Sequence, residues 1–166
     1  MPAGITYTPI ATTTLGSNST SVTFSSISGS YTDLVLVMVA KLATSGLDDV
    51  GFRFNSDSGS NYSRIWLEGN GSTTGSGRAS NETDMAIAGY YDSTNWTTQV
   101  THFFNYSNST TFKTAINRES TSYGNSGAKL GLWRSTSAIT EIVVLPRNSK
   151  SFASGSTFSL YGITAA

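Results

Sequence analysis

The chain contains no cysteine, few charged side chains and no long apolar run, and each absence excludes a class of protein. Without cysteine there is no disulfide framework, no iron–sulfur cluster and no thiolate zinc site. No apolar run approaches the roughly 18 residues of a transmembrane helix, so we expect no membrane partner. The opening residues, MPAGITYTPI, lack a basic segment followed by an apolar one, so we expect no secretory signal.

Charge is scarce and balanced. The 166 residues carry 10 basic and 10 acidic side chains, and charged residues make up 12% of the chain, against roughly 25% in ordinary soluble domains. Lys and Arg are scattered, whereas phosphate binding requires a basic surface, so we expect no nucleic-acid partner. The length and the 37% hydrophobic content predict one domain over residues 1–166. Its surface is solvated by hydroxyls and amides, or is covered by other subunits.

The residue pattern is typical of strands and turns. β-Branched and aromatic residues occur in short runs between clusters of Ser, Thr, Gly and Asn, which predicts an all-β protein without significant helix. The spacing favours an antiparallel β-sandwich, jelly-roll-like, with about 8–10 strands. Residues 1–16 are expected to include a short N-terminal arm or edge strand. Residues 34–39 are apolar on both faces, which indicates a strand covered on both sides. The glycine-rich residues 69–81 are expected to form a flexible surface loop.

Signals for catalysis are weak. His102 is the only histidine, and we expect it to be a partnered, half-buried residue; a hydrolase would require it to be exposed and paired with a carboxylate. No G-x-S-x-G nucleophile elbow occurs. The adjacent Asp48 and Asp49 do not match an EF-hand spacing, and Glu82 and Asp84 would form a glycosidase-like pair only by chance. We therefore predict no catalytic residue, no metal site, no cofactor and no enzymatic activity.

Outward aromatic residues are more informative. In residues 61–68, alternation places Ile65 and Leu67 toward the core and the side chains between them outside. The same alternation places Leu130 in the core and Trp133 outside. Trp, Tyr and Arg are preferred anchors of protein interfaces, although a second core layer would give the same pattern. The predicted interface, with the N-terminal arm included, consists of Tyr62, Arg64, Trp66, Trp133, Ile5, Tyr7 and Ile10.

A second cluster combines aromatic rings with polar groups. It consists of Tyr90, Tyr91, Asp92, Asn95 and Trp96. Such rings can pack on the C–H groups of a sugar while amides and carboxylates bind its hydroxyls, so these residues are a candidate glycan site. The alternative is that the rings are tucked onto the sandwich. Exposure of the rings around a groove would distinguish the two.

Several segments resemble small β-rich virion proteins of tailed bacteriophages, of the kind that cyanophages carry. The resemblance spans nearly the whole chain. Its segments are YTPIATTTLGSNSTSVTFSSI, GSYTDLVLVMVA, RFNSDSGSNYSRIWLEGNG, GLWRSTSAITEIVVLP and FASGSTFSLYGI, the last containing F-x-L-Y-G-I after a G-S-T turn.

The resemblance implies a non-enzymatic structural protein of the virion, assembled in the host cytoplasm. Related domains are head decoration, or cement, proteins and modules of tail fibres. Because the chain ends with its last predicted strand, we expect a decoration protein that stabilises the head through the major capsid protein and copies of itself, as a trimer. The alternative is a tail-fibre or receptor-binding module that recognises a host surface glycan.

Overall fold

The structure is a computed structural model that describes residues 6–120 and 124–164. Twelve strands within these residues form two antiparallel sheets that pack face to face, so the predicted all-β, jelly-roll-like sandwich is confirmed. The predicted 8–10 strands were too few. The strands are β1 (Tyr7–Thr14), β2 (Val22–Phe24), β3 (Asp33–Ala40), β4 (Asp48–Phe54), β5 (Tyr62–Gly69), β6 (Thr74–Glu82), β7 (Met85–Tyr91), β8 (Thr97–Phe104), β9 (Lys113–Ser120), β10 (Ser126–Trp133), β11 (Ile142–Pro146) and β12 (Thr157–Ile163).

The two sheets differ in width. The long sheet has the order β1-β12-β3-β8-β9-β10-β5-β6, and the short sheet has the order β2-β11-β4-β7. At the edge of the short sheet, β7 packs across β10, β5 and β9. The described residues include no helix that is long and apolar enough to cross a membrane.

The central strand β3 is buried on its inner face. Leu34, Leu36 and Met38 are fully buried there against the aromatic side chains of the short sheet. On the outer face Val35 is buried, but Val39 is 38% exposed. The short sheet covers only one face of β3, so within the described residues the predicted cover of the other face is partial, and its completion by another subunit stays a prediction.

The glycine-rich segment predicted as a loop contains a strand. Within residues 69–81, β6 pairs with β5 along its whole length at the edge of the long sheet. A Cβ at Gly77 would overlap the ring of Trp66 on β5. Glycine therefore weakens the strand signal of the sequence, but here it makes room for a neighbouring side chain.

The N-terminal strand β1 lies at the other edge of the long sheet and pairs with β12. Tyr7 is 55% exposed, whereas Ile10 is partly buried against the core. Ile5, the third residue of the predicted arm contact, lies outside the described residues.

The side chains predicted to face outward on β5 and β10 face inward. Tyr62 and Trp133 are buried, and their rings stack with centroids 6.3 Å apart. Arg64 and Trp66 share this inner face and are half-buried. The outward orientation predicted for Tyr62, Arg64, Trp66 and Trp133 is therefore wrong.

The aromatic residues turn inward because their polar atoms find partners there. The indole Nε1 of Trp133 donates to Asp57 Oδ2 at 2.7 Å. The hydroxyl of Tyr62 donates to the carbonyl of Asp57 at 2.9 Å and accepts from the amide of Phe54 at 3.1 Å. Both rings thus bury large apolar areas while their hydrogen-bond donors keep partners. The aliphatic side chains of Ile65 and Leu67 would bury a smaller area.

We expect Asp57→Ala to lower the free energy of unfolding by about 1–3 kcal/mol, because it leaves the buried indole N–H of Trp133 without an acceptor. Burial opposes ionisation of Asp57, but hydrogen bonds from Trp133, Gly59 and Asn61 hold its pKa below the usual value. This stabilisation is therefore present above about pH 4 and is lost as the pH falls through the lowered pKa.

Urea denaturation at pH 7 measures the change. Ser58→Ala is the matched control in the same exposed loop and should stay within about 0.5 kcal/mol of the wild type. Equal stability of the two variants would show that Asp57 does not anchor the aromatic pair.

Candidate interaction surface

The inward turn of Tyr62 and Trp133 places the aliphatic residues of the same strands on the outside. Leu67 is 58% exposed, Ile65 47% and Leu130 40%. Phe104 on β8 lies on the same side of the long sheet and is 38% exposed. We call this side of the long sheet the outer apolar face. The alternation in the sequence predicted the opposite orientation, with Ile65, Leu67 and Leu130 in the core.

Strand register makes the outer apolar face continuous. One row of cross-strand neighbours crosses seven strands, β12-β3-β8-β9-β10-β5-β6. In strand order this row consists of Tyr161, Val35, His102, Ile116, Leu130, Ile65 and Arg78. The Cβ atoms of directly opposed residues are about 4.5–5.5 Å apart, so the apolar side chains of this row contact their neighbours. A contiguous exposed patch of this kind is typical of an interaction site.

The outer apolar face contains a shallow cleft of about 810 Å³. Ile65 and Leu130 form its floor with Leu132, and Phe104 and Arg78 stand at its two sides. Its lining is made of strand residues held by paired backbone, so the cleft is preformed.

The charges around the outer apolar face are mostly positive. Arg78 and Arg118 are exposed on it. At its end Arg134 is held by the hydroxyl of Ser63 and the carbonyl of Ser60. Among the described strand residues of this face, Asp33 is the acidic one, and it is engaged by His102.

His102 occupies a corner of this face. Its Nε2 lies 3.1 Å from Asp33 Oδ2, and its ring stacks on Phe104 with centroids 4.2 Å apart. Asp33 Oδ1 accepts the backbone amide of Asn105 at 2.6 Å. The histidine is therefore half-buried and has a carboxylate partner. These contacts connect β3, β8 and the turn after β8.

The five residues of the predicted glycan site do not form one exposed group. Tyr91 is fully buried, edge-on to Phe152 in the core. Tyr90 is half-buried with the amine of Lys129 over its ring. The prediction of a groove lined by both tyrosines is wrong, because the ring of Tyr91 packs in the core and that of Tyr90 is covered by Lys129.

The other three residues of that cluster form the loop between β7 and β8. Asp92 Oδ1 accepts the amides of Thr94 and Asn95, both at 2.7 Å. Trp96 is 48% exposed, and the amine of Lys41 lies 5.1 Å from its ring centre. Asp92 and Asn95 thus shape a turn, and Trp96 is exposed beside it.

The paired acidic residues of the sequence serve separate contacts. Asp48 accepts from Asn148, while Asp49 pairs with Arg64 and Lys129. Glu82 and Asp84 both bind the guanidinium of Arg147, at 2.5 and 3.3 Å. Within the described part of the chain, no group of three or more His, Asp or Glu side chains could hold a metal ion.

Comparison with known proteins adds little. No family model matches the chain, and no curated protein matches its sequence. Among solved structures, the chain is similar to galectin LEC-6 of Caenorhabditis elegans, at a TM-score of 0.35 and 10% identity over 93% of this chain and 96% of that chain.

Two further structures have lower scores. SO2946 of Shewanella oneidensis MR-1, described as a protein of unknown function, has a TM-score of 0.27 and 10% identity over 96% of this chain and 77% of its own. A mutant of alginate lyase Aly36B has a TM-score of 0.29 and 11% identity over 92% and 80%. At these scores we draw no functional conclusion from the similarity.

We expect Ile65→Thr and Leu67→Thr to change the free energy of unfolding by no more than about 0.5 kcal/mol each, because both side chains are exposed and Thr keeps the strand propensity. Leu36→Thr on the inner face of β3 should cost several kcal/mol, because it buries a hydroxyl and leaves a cavity. Urea denaturation compares the three variants. A loss at Leu67 as large as that at Leu36 would place Leu67 in the core.

Proposed function

We propose that this chain is a non-enzymatic structural protein of a tailed-phage virion, most specifically a decoration, or cement, subunit of the head. The single observation that carries the proposal is the outer apolar face, a preformed and continuous surface beside which the described residues pack no other element. The resemblance of the sequence to virion proteins supports the same role. In this role the subunit acts by occupying a surface, and it requires no reacting group.

The partner of the outer apolar face is another virion protein rather than a second copy of this chain. Two copies stacked face to face would bring Arg78, Arg118 and Arg134 of both chains to one interface, and like charges at an interface repel. We therefore infer that the partner presents apolar side chains surrounded by acidic ones. In a decorated head, the surface of the major capsid protein supplies them.

Copies of the chain associate through other parts of the molecule. The strand β1 pairs with β12 on one side, and its other side lies at the edge of the long sheet. Edge strands offer unpaired backbone groups for pairing with another chain. We propose that this edge, with the exposed Tyr7, contributes to a trimer, whose three copies would contact the capsid together and gain affinity from multivalency.

The experiment uses empty heads assembled from the major capsid protein of the phage that carries this chain. Purified protein is mixed with the heads, and the bound fraction is measured by co-sedimentation. We expect the double variant Ile65→Thr with Leu67→Thr to bind at least about tenfold more weakly, because truncated interface anchors cost more than about 1 kcal/mol each. Higher salt should weaken wild-type binding as the arginines are screened.

Leu47→Thr is the matched control, because Leu47 is equally apolar and 38% exposed but lies in the loop before β4. It should bind like the wild type. Wild-type protein that does not bind the heads, or a double variant that binds as well as the control, would contradict the proposal. Binding of the protein to host surface glycan instead of heads would favour the tail-fibre function.

A further inference from the structure

A charged cluster lies between the two sheets, on the side opposite the outer apolar face. The amine of Lys129, on β10, lies 3.4 Å from Asp49 Oδ1 on β4 and 3.5 Å from Glu119 Oε2 on β9. The side chains of Lys129, Asp49 and Glu119 are 3%, 13% and 0% exposed. The cluster thus brings one amine and two carboxyls from three strands into an interior that largely excludes water.

The groups around Lys129 leave little room at its amine. The ring of Tyr90 covers its amine at 4.6 Å from the ring centre. A Cβ at Gly89 would overlap the carboxyl of Glu119, so glycine at this position makes room for the acid. Apart from the ion pair of Oε2 with Lys129, neither oxygen of Glu119 has a hydrogen-bond partner among the described residues. Burial raises the pKa of Glu119, against the opposing effect of Lys129, so its carboxylate is a stronger proton acceptor than that of an exposed glutamate.

The two oxygens of Asp49 have different partners. Arg64 Nη1 donates to Oδ2 at 2.8 Å, and also to the carbonyl of Ala86 at 2.8 Å, which fixes the guanidinium. Oδ1 faces the amine of Lys129. A cation on one carboxyl oxygen stabilises the negative charge that develops there when a nucleophile adds to the carbon. Asp49 is therefore oriented as an acceptor of the amine, with Arg64 in the position of an oxyanion donor.

We propose that Lys129 and Asp49 condense into an intramolecular isopeptide bond, with Glu119 carrying the proton. Glu119 takes a proton from the Lys129 ammonium, and Nζ adds to Cγ of Asp49 while Arg64 stabilises the charge on Oδ2. Glu119 returns the proton to Oδ1, which leaves as water with a second proton from Nζ. The N–C bond forms, the C–Oδ1 bond breaks, and ammonium plus carboxylate become amide plus water without any oxidant or co-reactant.

The bond would connect the long sheet to the short sheet covalently, through β10 and β4. It would also replace a buried ion pair by a neutral amide, which removes the desolvation cost of two charges. This inference is independent of the proposed function, since it concerns the interior of the sandwich and not the outer apolar face.

The test is the intact mass of the folded wild-type protein after incubation at neutral pH. We expect a mass lower by one water, about 18 Da, than the mass of the sequence. Tryptic digestion should then yield a branched peptide that joins residues 42–53, which contain Asp49, to residues 119–134, in which cleavage after Lys129 is blocked. An unshifted mass would overturn the proposal, and so would a linkage of Lys129 to Glu119.

Two variants and one control sharpen the result. Lys129→Arg keeps the charge but should restore the full mass, and Glu119→Gln should slow the loss of water strongly by removing the proton carrier. Lys150→Arg replaces a lysine outside the cluster, whose amine binds the carbonyl of Ser45, and should keep the mass deficit. A deficit that persists in Lys129→Arg would contradict the assignment. Peptide mapping of the wild type decides the question even where a variant does not fold.

Discussion

The stack of Tyr62 on Trp133, anchored by Asp57, is the constraint on which the rest of the structure depends. It fixes which face of β5 and β10 points toward the short sheet. Because side chains alternate along a strand, this one choice determines the face on which each remaining residue of the two strands lies. Ile65, Leu67 and Leu130 become the outer apolar face, and Arg64 and Lys129 enter the interior.

The fold class could be predicted from the sequence, whereas the facing of two strands could not. The apolar run of β3 is a local signal, and the structure buries Leu36 as that pattern requires. On β5, by contrast, both faces carry large apolar side chains. The deciding hydrogen bonds come from Asp57 in a preceding loop, and their geometry exists only after folding. Strand β6 was not predicted because glycine is a weak strand signal. The ring of Trp66, for which Gly77 makes room, is brought near only by folding.

The orientation of the charged residues on β5 and β10 was predicted wrongly for a related reason. Arg64 and Lys129 suggest a solvated face, since isolated charges are rarely buried. In the structure they meet Asp49, which lies on a strand of the opposite sheet, and Glu119 on the neighbouring strand β9. A buried charge is tolerated when it is paired, and this pairing leaves the opposite side of the long sheet to aliphatic residues. The interior cluster and the outer apolar face are thus two consequences of one alternation.

This division suits a protein that works through a surface. The outer apolar face lies mainly on strands that pair with a neighbour on both sides, so little conformational entropy should be lost on docking. Its arginines stand on or beside the apolar centre, where, in the proposed function, they would select an acidic partner and disfavour self-stacking. Of the five residues of the predicted glycan site, Tyr91 instead packs in the core.

The facing of β5 can be measured directly, because the chain has no cysteine and single thiols can be placed at will. The folded variants Leu67→Cys and Tyr62→Cys are each treated with a thiol reagent at low protein concentration. Leu36→Cys is the buried reference. We expect Leu67→Cys to react at close to the rate of an unfolded thiol, and Tyr62→Cys and Leu36→Cys to react only through unfolding. Protection at position 67 together with fast reaction at position 62 would contradict the account.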